Sequence, residues 1–229
     1  MSLLPYGSVV VSCQADHSSP LRGPTFMAAM AQAAELGGAS GFRVEGSADI
    51  AAVRSVTKLP VIGLTKGARS VDHVFITAGF SDAEAVVRAG ADIVALDATD
   101  RPRAGGDSLP QLVARIHDEL GVPVLGDVDS VSSARFAHAA GVDALATTLS
   151  GYTGGPTQTE PDFELLQQLV GLHACPVVAE GRIARSEHVE TAFSCGAHAV
   201  VIGHAITDPT RITRTFVARS PSAPGPVAQ

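Results

Sequence analysis

The sequence predicts one (β/α)8 barrel of the TIM type. Short runs rich in Val, Ile and Ala alternate with helical segments along the whole chain, the order that builds a parallel sheet covered by helices. The phrase Ala-Gly-Ala-Asp or Ala-Gly-Val-Asp recurs at Ala89–Asp92 and Ala140–Asp143, with a variant at Cys195–His198. Each copy stops a helix and leads straight into a strand, as a repeated βα unit requires. The alternative is a Rossmann-like open sheet, but no G-x-G-x-x-G turn follows the first strand. No Pro/Ser/Gly linker divides the interior of the 229 residues. The reading is therefore a barrel domain over 1–219 and a flexible Pro/Ser/Ala-rich tail over 220–229.

The units follow in order. Ser8–Cys13 is a Val-rich strand, and Thr25–Leu36 is a helix opened by Pro24 and stopped by Gly37-Gly38. Ser40–Val44 is the second strand and Ser47–Ser55 its helix. Pro60–Thr65 is the third strand and delivers Lys66; a loop and a small apolar run, Val74–Thr77, follow. Ser81, with Glu84 three residues on, reads as the capping box of a helix that runs to Ala89. Asp92–Leu96 is strand four, followed by a helix over Ser108–Leu120. Pro123–Gly126 is strand five, with a helix over Ser130–Ala140. Asp143–Thr147 is strand six; a long polar loop, Thr148–Glu160, precedes the helix Asp162–Leu172. Pro176–Ala179 and His198–Ile202 are the last strands, with helices over Arg185–Ser194 and Pro209–Ala218.

Composition excludes several classes. A net charge of -7 argues against a nucleic-acid binder, which needs clustered cations, yet allows a small phosphorylated ligand. Three cysteines, Cys13, Cys175 and Cys195, form no C-x-x-C pair, which fits a reducing cytoplasm. There is no signal-peptide pattern and no apolar run of membrane-spanning length. Carboxylates and histidines are scattered without metal-ligand spacing, so no metal is expected. His17, His73 and His138 read as surface residues. Val/Ala-rich helix faces allow a homodimer, and no stripe requires one.

In such a barrel chemistry sits at the carboxyl ends of the strands. The residues there are Gln14, Arg43, Lys66, Asp97 with Thr99 and Arg101, Asp127, Thr147-Thr148, Glu180-Gly181-Arg182 and Gly203-His204. Fourteen of the sixteen cations are Arg, so a strand-end Lys, tunable where Arg is not, stands out. Glu180 ends a buried strand; Gly181 lets backbone amides approach an anion, and Arg182 is suited to hold one. Plainer readings stand beside these. Glu180-Gly181-Arg182 is also a solvated turn, Arg43 also an ion-pair partner of Glu45, and Asp127 also the cap of the helix near Ser130. Asp97 reads as a loop salt bridge with Arg101.

Several phrases, taken together, resemble one family. They are Val10–Ala15, Phe42–Gly46, Val61–Lys66, Gly90–Arg103, Thr147–Thr153, Ala179–Arg182 and Val201–Thr207. The chain is similar, from about residue 3 to residue 218, to the N-acetylmannosamine-6-phosphate 2-epimerase family. The resemblance implies a (β/α)8 barrel that interconverts N-acetylmannosamine 6-phosphate and N-acetylglucosamine 6-phosphate in sialic acid catabolism. It implies that Lys66 and Glu180 are the acid/base pair and that Gln14, Arg43 and Asp127 contact the sugar. Gly181, Arg182, Gly203 and His204 would surround the phosphate; the His204 position is commonly Ser in the family. Inversion at C2 removes and returns a proton beside the open-chain carbonyl, and such a transfer needs no cofactor. Two other readings share the barrel: an aldolase with Lys66 as its Schiff-base amine, and a non-catalytic phosphosugar-binding protein.

Overall fold

Both faces of a parallel barrel strand are covered, so such strands are apolar throughout and only alternation separates inside from outside. The computed structural model describes residues 3–103, 106–154 and 158–221. Its strands are β1 (Ser8–Cys13), β2 (Gly41–Glu45), β3 (Val61–Leu64), β4 (Ile93–Asp97), β5 (Val124–Asp127), β6 (Ala144–Ala146), β7 (Val177–Glu180) and β8 (Ala199–Ile202). They close in sequence order, all parallel, with β8 back on β1 through Val10 opposite Val201. The chain is a (β/α)8 barrel.

Alternation sorts the core into two clusters. Val10, Ile62, Leu64, Ile93, Ala95, Leu125, Val178 and Val201 fill the barrel. Val11, Phe42, Val44, Val61, Val94, Leu96, Leu145 and Val200 face outward onto the helices. Extending the inward row of each strand toward its carboxyl end gives Ser12 and Gln14 on β1, Arg43 and Glu45 on β2, and Lys66 beyond β3. The same step of two gives Asp97, Asp127 and Glu180. The apolar layer of the barrel thus hands over to a charged layer at one end, and that boundary positions the site.

The helices are α1 (Pro24–Leu36), α2 (Ser47–Val56), α3 (Phe80–Arg88), α4 (Leu109–Arg115), α5 (Val131–Ala139), α6 (Phe163–Gly171), α7 (Ser186–Ser194), α8 (His204–Thr207) and α9 (Pro209–Val217). A π-helical turn, Ile116–Leu120, extends α4 and ends at Gly121, whose φ of 67° is left-handed. Ser130 and Asp162 cap α5 and α6 by accepting from Ser133 N–H and Leu165 N–H. Close packing reaches its limit at Gly63 on β3. A Cβ there would lie 2.5 Å from Ala91 Cβ and 3.1 Å from Ile50 Cδ1, so only Gly lets the outer layer approach.

Two local expectations are corrected. Ser81 does not cap α3: the cap is Gly79, whose N–H donates to the Asp82 carboxylate at 3.3 Å, starting the helix at Phe80. Strand six stops at Ala146, because Thr147–Leu149 turns into a 3-10 helix. After β8, α8 is fastened by the Thr207 hydroxyl, which donates to Ser12 O at 3.0 Å. Residues 222–229, most of the expected tail, lie outside the described residues, as do 155–157 of the expected Thr148–Glu160 loop.

Candidate active site

A cavity of about 700 Å³ opens at the carboxyl end of the barrel. Gln14, Arg43, Lys66, Glu180, Gly181, Arg182, Gly203 and His204 all line it. Eight expected site residues, distant in sequence, therefore share one space. Asp127 is the exception: it lies behind Arg43, fully buried.

Arg43 is the centre of the charged layer. Its side chain is 1% exposed, yet it is fully charged. The Asp127 carboxylate accepts from both terminal nitrogens, at 3.0 Å and 2.6 Å, a bidentate fork. Glu180 Oε2 lies 2.9 Å from Arg43 Nη1. The angle there is not that of a hydrogen bond, so Glu180 Oε2 and Arg43 Nε have no hydrogen-bond partner among the described residues. Burial opposes the Arg43 charge, but Asp127 and Glu180 outweigh it and hold the guanidinium above its ordinary value. Asp127 also accepts from the Thr148 hydroxyl at 2.6 Å. The helix-cap reading of Asp127 and the Glu45 reading of Arg43 are thereby overturned.

Glu180 ends β7 with its side chain 12% exposed. Burial pushes its carboxyl up to about 6; Arg43 pulls it down, Asp127 adds to the rise, and Lys66 and Thr148 oppose it. Its backbone is fixed from the 3-10 turn after β6: the Thr147 hydroxyl accepts from Glu180 N–H at 3.0 Å and donates to Glu180 O at 2.9 Å. A proton-exchanging carboxyl on a fixed main chain is what general acid/base chemistry needs.

Lys66 stands beyond β3, opposite Ile76 in an antiparallel bridge. The Val74–Thr77 run expected from the sequence supplies that single bridge partner. Lys66 Nζ donates to Gln14 Oε1 at 2.5 Å, and Glu45 Oε2 is 3.4 Å away. Gln14 is oriented by its own amide, which donates to Ser12 Oγ at 2.9 Å. The expected Asp97–Arg101 salt bridge forms, and burial raises the Asp97 carboxyl. Arg101 also reaches Ser70 O at 2.8 Å and His73 O at 3.0 Å, tying the loop after Lys66 onto β4.

Arg182 lines the cavity and is also tied into the neighbouring loop. Its φ of 58° is left-handed, and its guanidinium donates to Glu160 O, Ser150 O and Gln158 Oε1 at 2.7, 2.9 and 2.7 Å. It also lies 5.2 Å from the Tyr152 ring, which Arg69 covers from another loop at 4.5 Å. Arg182 is thus a clamp on the loop after β6. Arg211 of α9, which the sequence reading missed, also lines the cavity and is close enough to His204 to influence its charge. Partial burial, then Arg211, hold His204 below its ordinary value, which favours the neutral ring. Asp16, His204 and Asp208 bring potential ligand atoms within 4.8 Å of one another, against the expectation of scatter. Asp208 accepts from Arg211 N–H at 3.0 Å as the cap of α9, so one member already serves the fold. His17, His73 and His138 are exposed, as expected.

Fold and site together define a barrel enzyme class: a phosphosugar-sized cavity with a Lys, a buried Arg and a raised Glu at the carboxyl edge. The family described as "Putative N-acetylmannosamine-6-phosphate epimerase" matches residues 27–221. A relative from Cutibacterium acnes with the corresponding 2-epimerase description is 45% identical over 213 residues, covering 92% of each chain. One from Thermosynechococcus vestitus is 46% identical, covering 93% of this chain and 92% of its own. The solved N-acetylmannosamine-6-phosphate 2-epimerase of Clostridium perfringens is 36% identical, with a TM-score of 0.89 over 94% of each chain. A thiamine phosphate pyrophosphorylase from Pyrococcus furiosus, 18% identical with a TM-score of 0.58, shares the fold alone. The chain belongs to the N-acetylmannosamine-6-phosphate epimerase family, whose named activity is an isomerase's.

Proposed function

We propose that this chain interconverts N-acetylmannosamine 6-phosphate and N-acetylglucosamine 6-phosphate by inverting C2, as a step of sialic acid catabolism. The observation that carries this is the convergence of Lys66, Arg43 and Glu180 in the one barrel-end cavity of a chain in that family. The sugar ring opens to the aldehyde, making the C2 proton acidic. Lys66 and Glu180 take that proton and return one to the opposite face, so atoms and charge balance with no redox partner. Arg43, desolvated and held by Asp127, faces the enolate oxygen and stabilises its charge. Gln14 binds a sugar hydroxyl, and Asp127 acts through Arg43. Gly181, Gly203, His204 and the guanidinium of Arg211 surround the phosphate, the side of the cavity that binds phosphate in many such barrels. Arg182 shapes that pocket through its loop.

We also propose a homodimer formed through α9. That helix has no buried residue, and Phe216 and Val217 are both exposed on it, Phe216 at the edge of the cavity. Light scattering of the full chain tests it. The cytoplasm is the compartment that suits Cys13, Cys175 and Cys195, none of which forms a disulfide. Among the described residues no helix is long and apolar enough to cross a membrane.

The direct test is proton NMR of the substrate in D₂O with catalytic enzyme. Loss of the C2 proton signal, with both epimers appearing, is the expected result. A C2 signal that persists at high enzyme concentration refutes the reading. A borohydride-trapped, substrate-dependent mass adduct on Lys66 would instead support the aldolase.

A further inference from the structure

The epimerase reading pairs Lys66 with Glu180, yet the carboxylate in direct contact with Lys66 is another one. Glu45 Oε2 lies 3.4 Å from Lys66 Nζ. Alternation on β2 puts Glu45 on the same inward row as Arg43, one step nearer the mouth. Its obvious local partner is unavailable: the Arg43 fork is occupied by Asp127 and faces Glu180. Glu45 lines the cavity and meets the one other cation of the inward rows.

We infer that Glu45 is a positioning residue of the reaction, which with Gln14 cradles the Lys66 amine at the cavity wall. The cradle has two oxygens. Gln14 Oε1 accepts from Nζ at 2.5 Å, in an orientation set by Ser12, and Glu45 supplies the charge. The Lys66 backbone is held separately, since the adjoining Gly67 N–H donates to Phe75 O at 2.8 Å. Both ends of a flexible four-carbon stem are thereby fixed, which a proton-transferring amine requires. The other titratable or charged residues lining the cavity are Asp16 after β1, Arg43 on β2, Arg69 on the loop after Lys66, Glu180 on β7, Arg182 beyond it, His204 after β8 and Arg211 on α9. Among the described residues neither Asp16 nor Glu180 makes an ion pair with Lys66, whereas Glu45 does.

The inference rests on the epimerase reading for its kinetic arm and not for its chemical arm. Lys58, exposed on the same chain, is the internal reference, because the sequence holds only two lysines. The full-length chain, E45Q and E45D are acylated briefly at neutral pH without substrate, and the Lys66-to-Lys58 labelling ratio is read by mass spectrometry. Losing the carboxylate frees the amine, so the ratio rises about fivefold or more in E45Q and less in E45D. In the kinetic arm, E45Q loses about tenfold to hundredfold in kcat with KM nearly unchanged, and E45D recovers part of it. A labelling ratio equal to that of the unsubstituted chain in both variants overturns the inference, as does a loss carried wholly by KM, which would make Glu45 a sugar contact. If the unsubstituted chain neither turns over substrate nor exchanges C2, the epimerase reading falls, and the labelling ratio still decides whether Glu45 holds Lys66.

Discussion

Replacing Asp127 by Asn tests the centre of the charged layer. The substitution keeps the shape and removes one charge at a fully buried position. Arg43 then keeps Glu180 as its carboxylate, at 2.9 Å without hydrogen-bond alignment, and an amide nitrogen faces one of its own donors. The Thr148 hydroxyl also loses its carboxylate acceptor. Breaking one side of a buried pair costs about 3–5 kcal/mol, because the remaining charge stays desolvated. For a chain of this size each kcal/mol moves the melting temperature by about 2–4 °C, so D127N should melt roughly 6–20 °C lower. The second readout is pH. The Glu180 carboxyl sits at about 6, above its ordinary 4.5, so the fold favours its protonated form. That contribution to stability is complete below about 4.5 and is lost as pH rises through about 6. Activity should show a limb near pH 6, whichever form the reaction uses. Asp127 is one of the groups that raise Glu180, so the limb should move to lower pH in D127N. Differential scanning calorimetry and a kcat/KM profile read both effects. A D127N protein that melts within about 2 °C of the parent would refute the buried-pair reasoning. A limb that stays near pH 6 would refute the assignment to Glu180.

Other perturbations separate chemistry from support. Lys66→Ala and Glu180→Ala should each cut C2 exchange by about 10²–10⁴-fold with little loss of fold, read by NMR and circular dichroism. Thr147→Val removes both hydroxyl bonds to the Glu180 main chain; a cost of about 1–3 kcal/mol and a lower kcat at similar KM are expected from melts and steady-state kinetics. Gly63→Ala puts a methyl 2.5 Å from Ala91 Cβ and should cost about 1–3 kcal/mol in thermal unfolding, with kinetics unchanged in the surviving folded protein. Arg182→Gln removes the clamp on the loop after β6, and faster proteolytic cleavage within that loop, read by peptide mapping, is the expected sign.

The barrel was legible because its signals are local. Helix stops such as Gly90 and Gly141 are single residues, and the strand runs are short and uninterrupted. The convergence of Gln14, Lys66 and Glu180 followed from one rule, that strand ends meet on one face. What the rule lacked was the second coordinate, the inward row. Stepping by two from Arg43 reaches Glu45, a pair the sequence offered to each other and the structure gives to Asp127 and Lys66 instead. Other features had no local signal. Arg182 follows a glycine at a strand end, as an anion-binding Arg would, but its partners Ser150, Gln158 and Glu160 lie on a loop without periodicity. Arg211 sits in a helix after the last strand, and only the closing of β8 on β1 brings α9 over the cavity.

The placement of charge argues for function over stability. Burying Arg43, Asp127 and Glu180 together is at best neutral against a well-packed apolar layer, because desolvation offsets the attraction. The barrel interior below them shows the apolar alternative: Leu125 and Val178 at the inward positions of the strands that carry Asp127 and Glu180, with Ile62 and Ile93 on β3 and β4. Satisfaction of the charged layer is also incomplete, with Glu180 Oε2 and Arg43 Nε left without hydrogen bonds among the described residues. A network evolved for rigidity alone would close those positions. Both atoms are buried, so leaving them without hydrogen bonds carries a cost that rigidity alone does not offset. Apolar replacement of the whole cluster, R43M with D127L and E180L, should therefore leave the melting temperature near or above that of the parent while abolishing C2 exchange. If the triple variant instead unfolded far below D127N, the charged layer would be a structural requirement of this barrel, and the argument from its cost would fail.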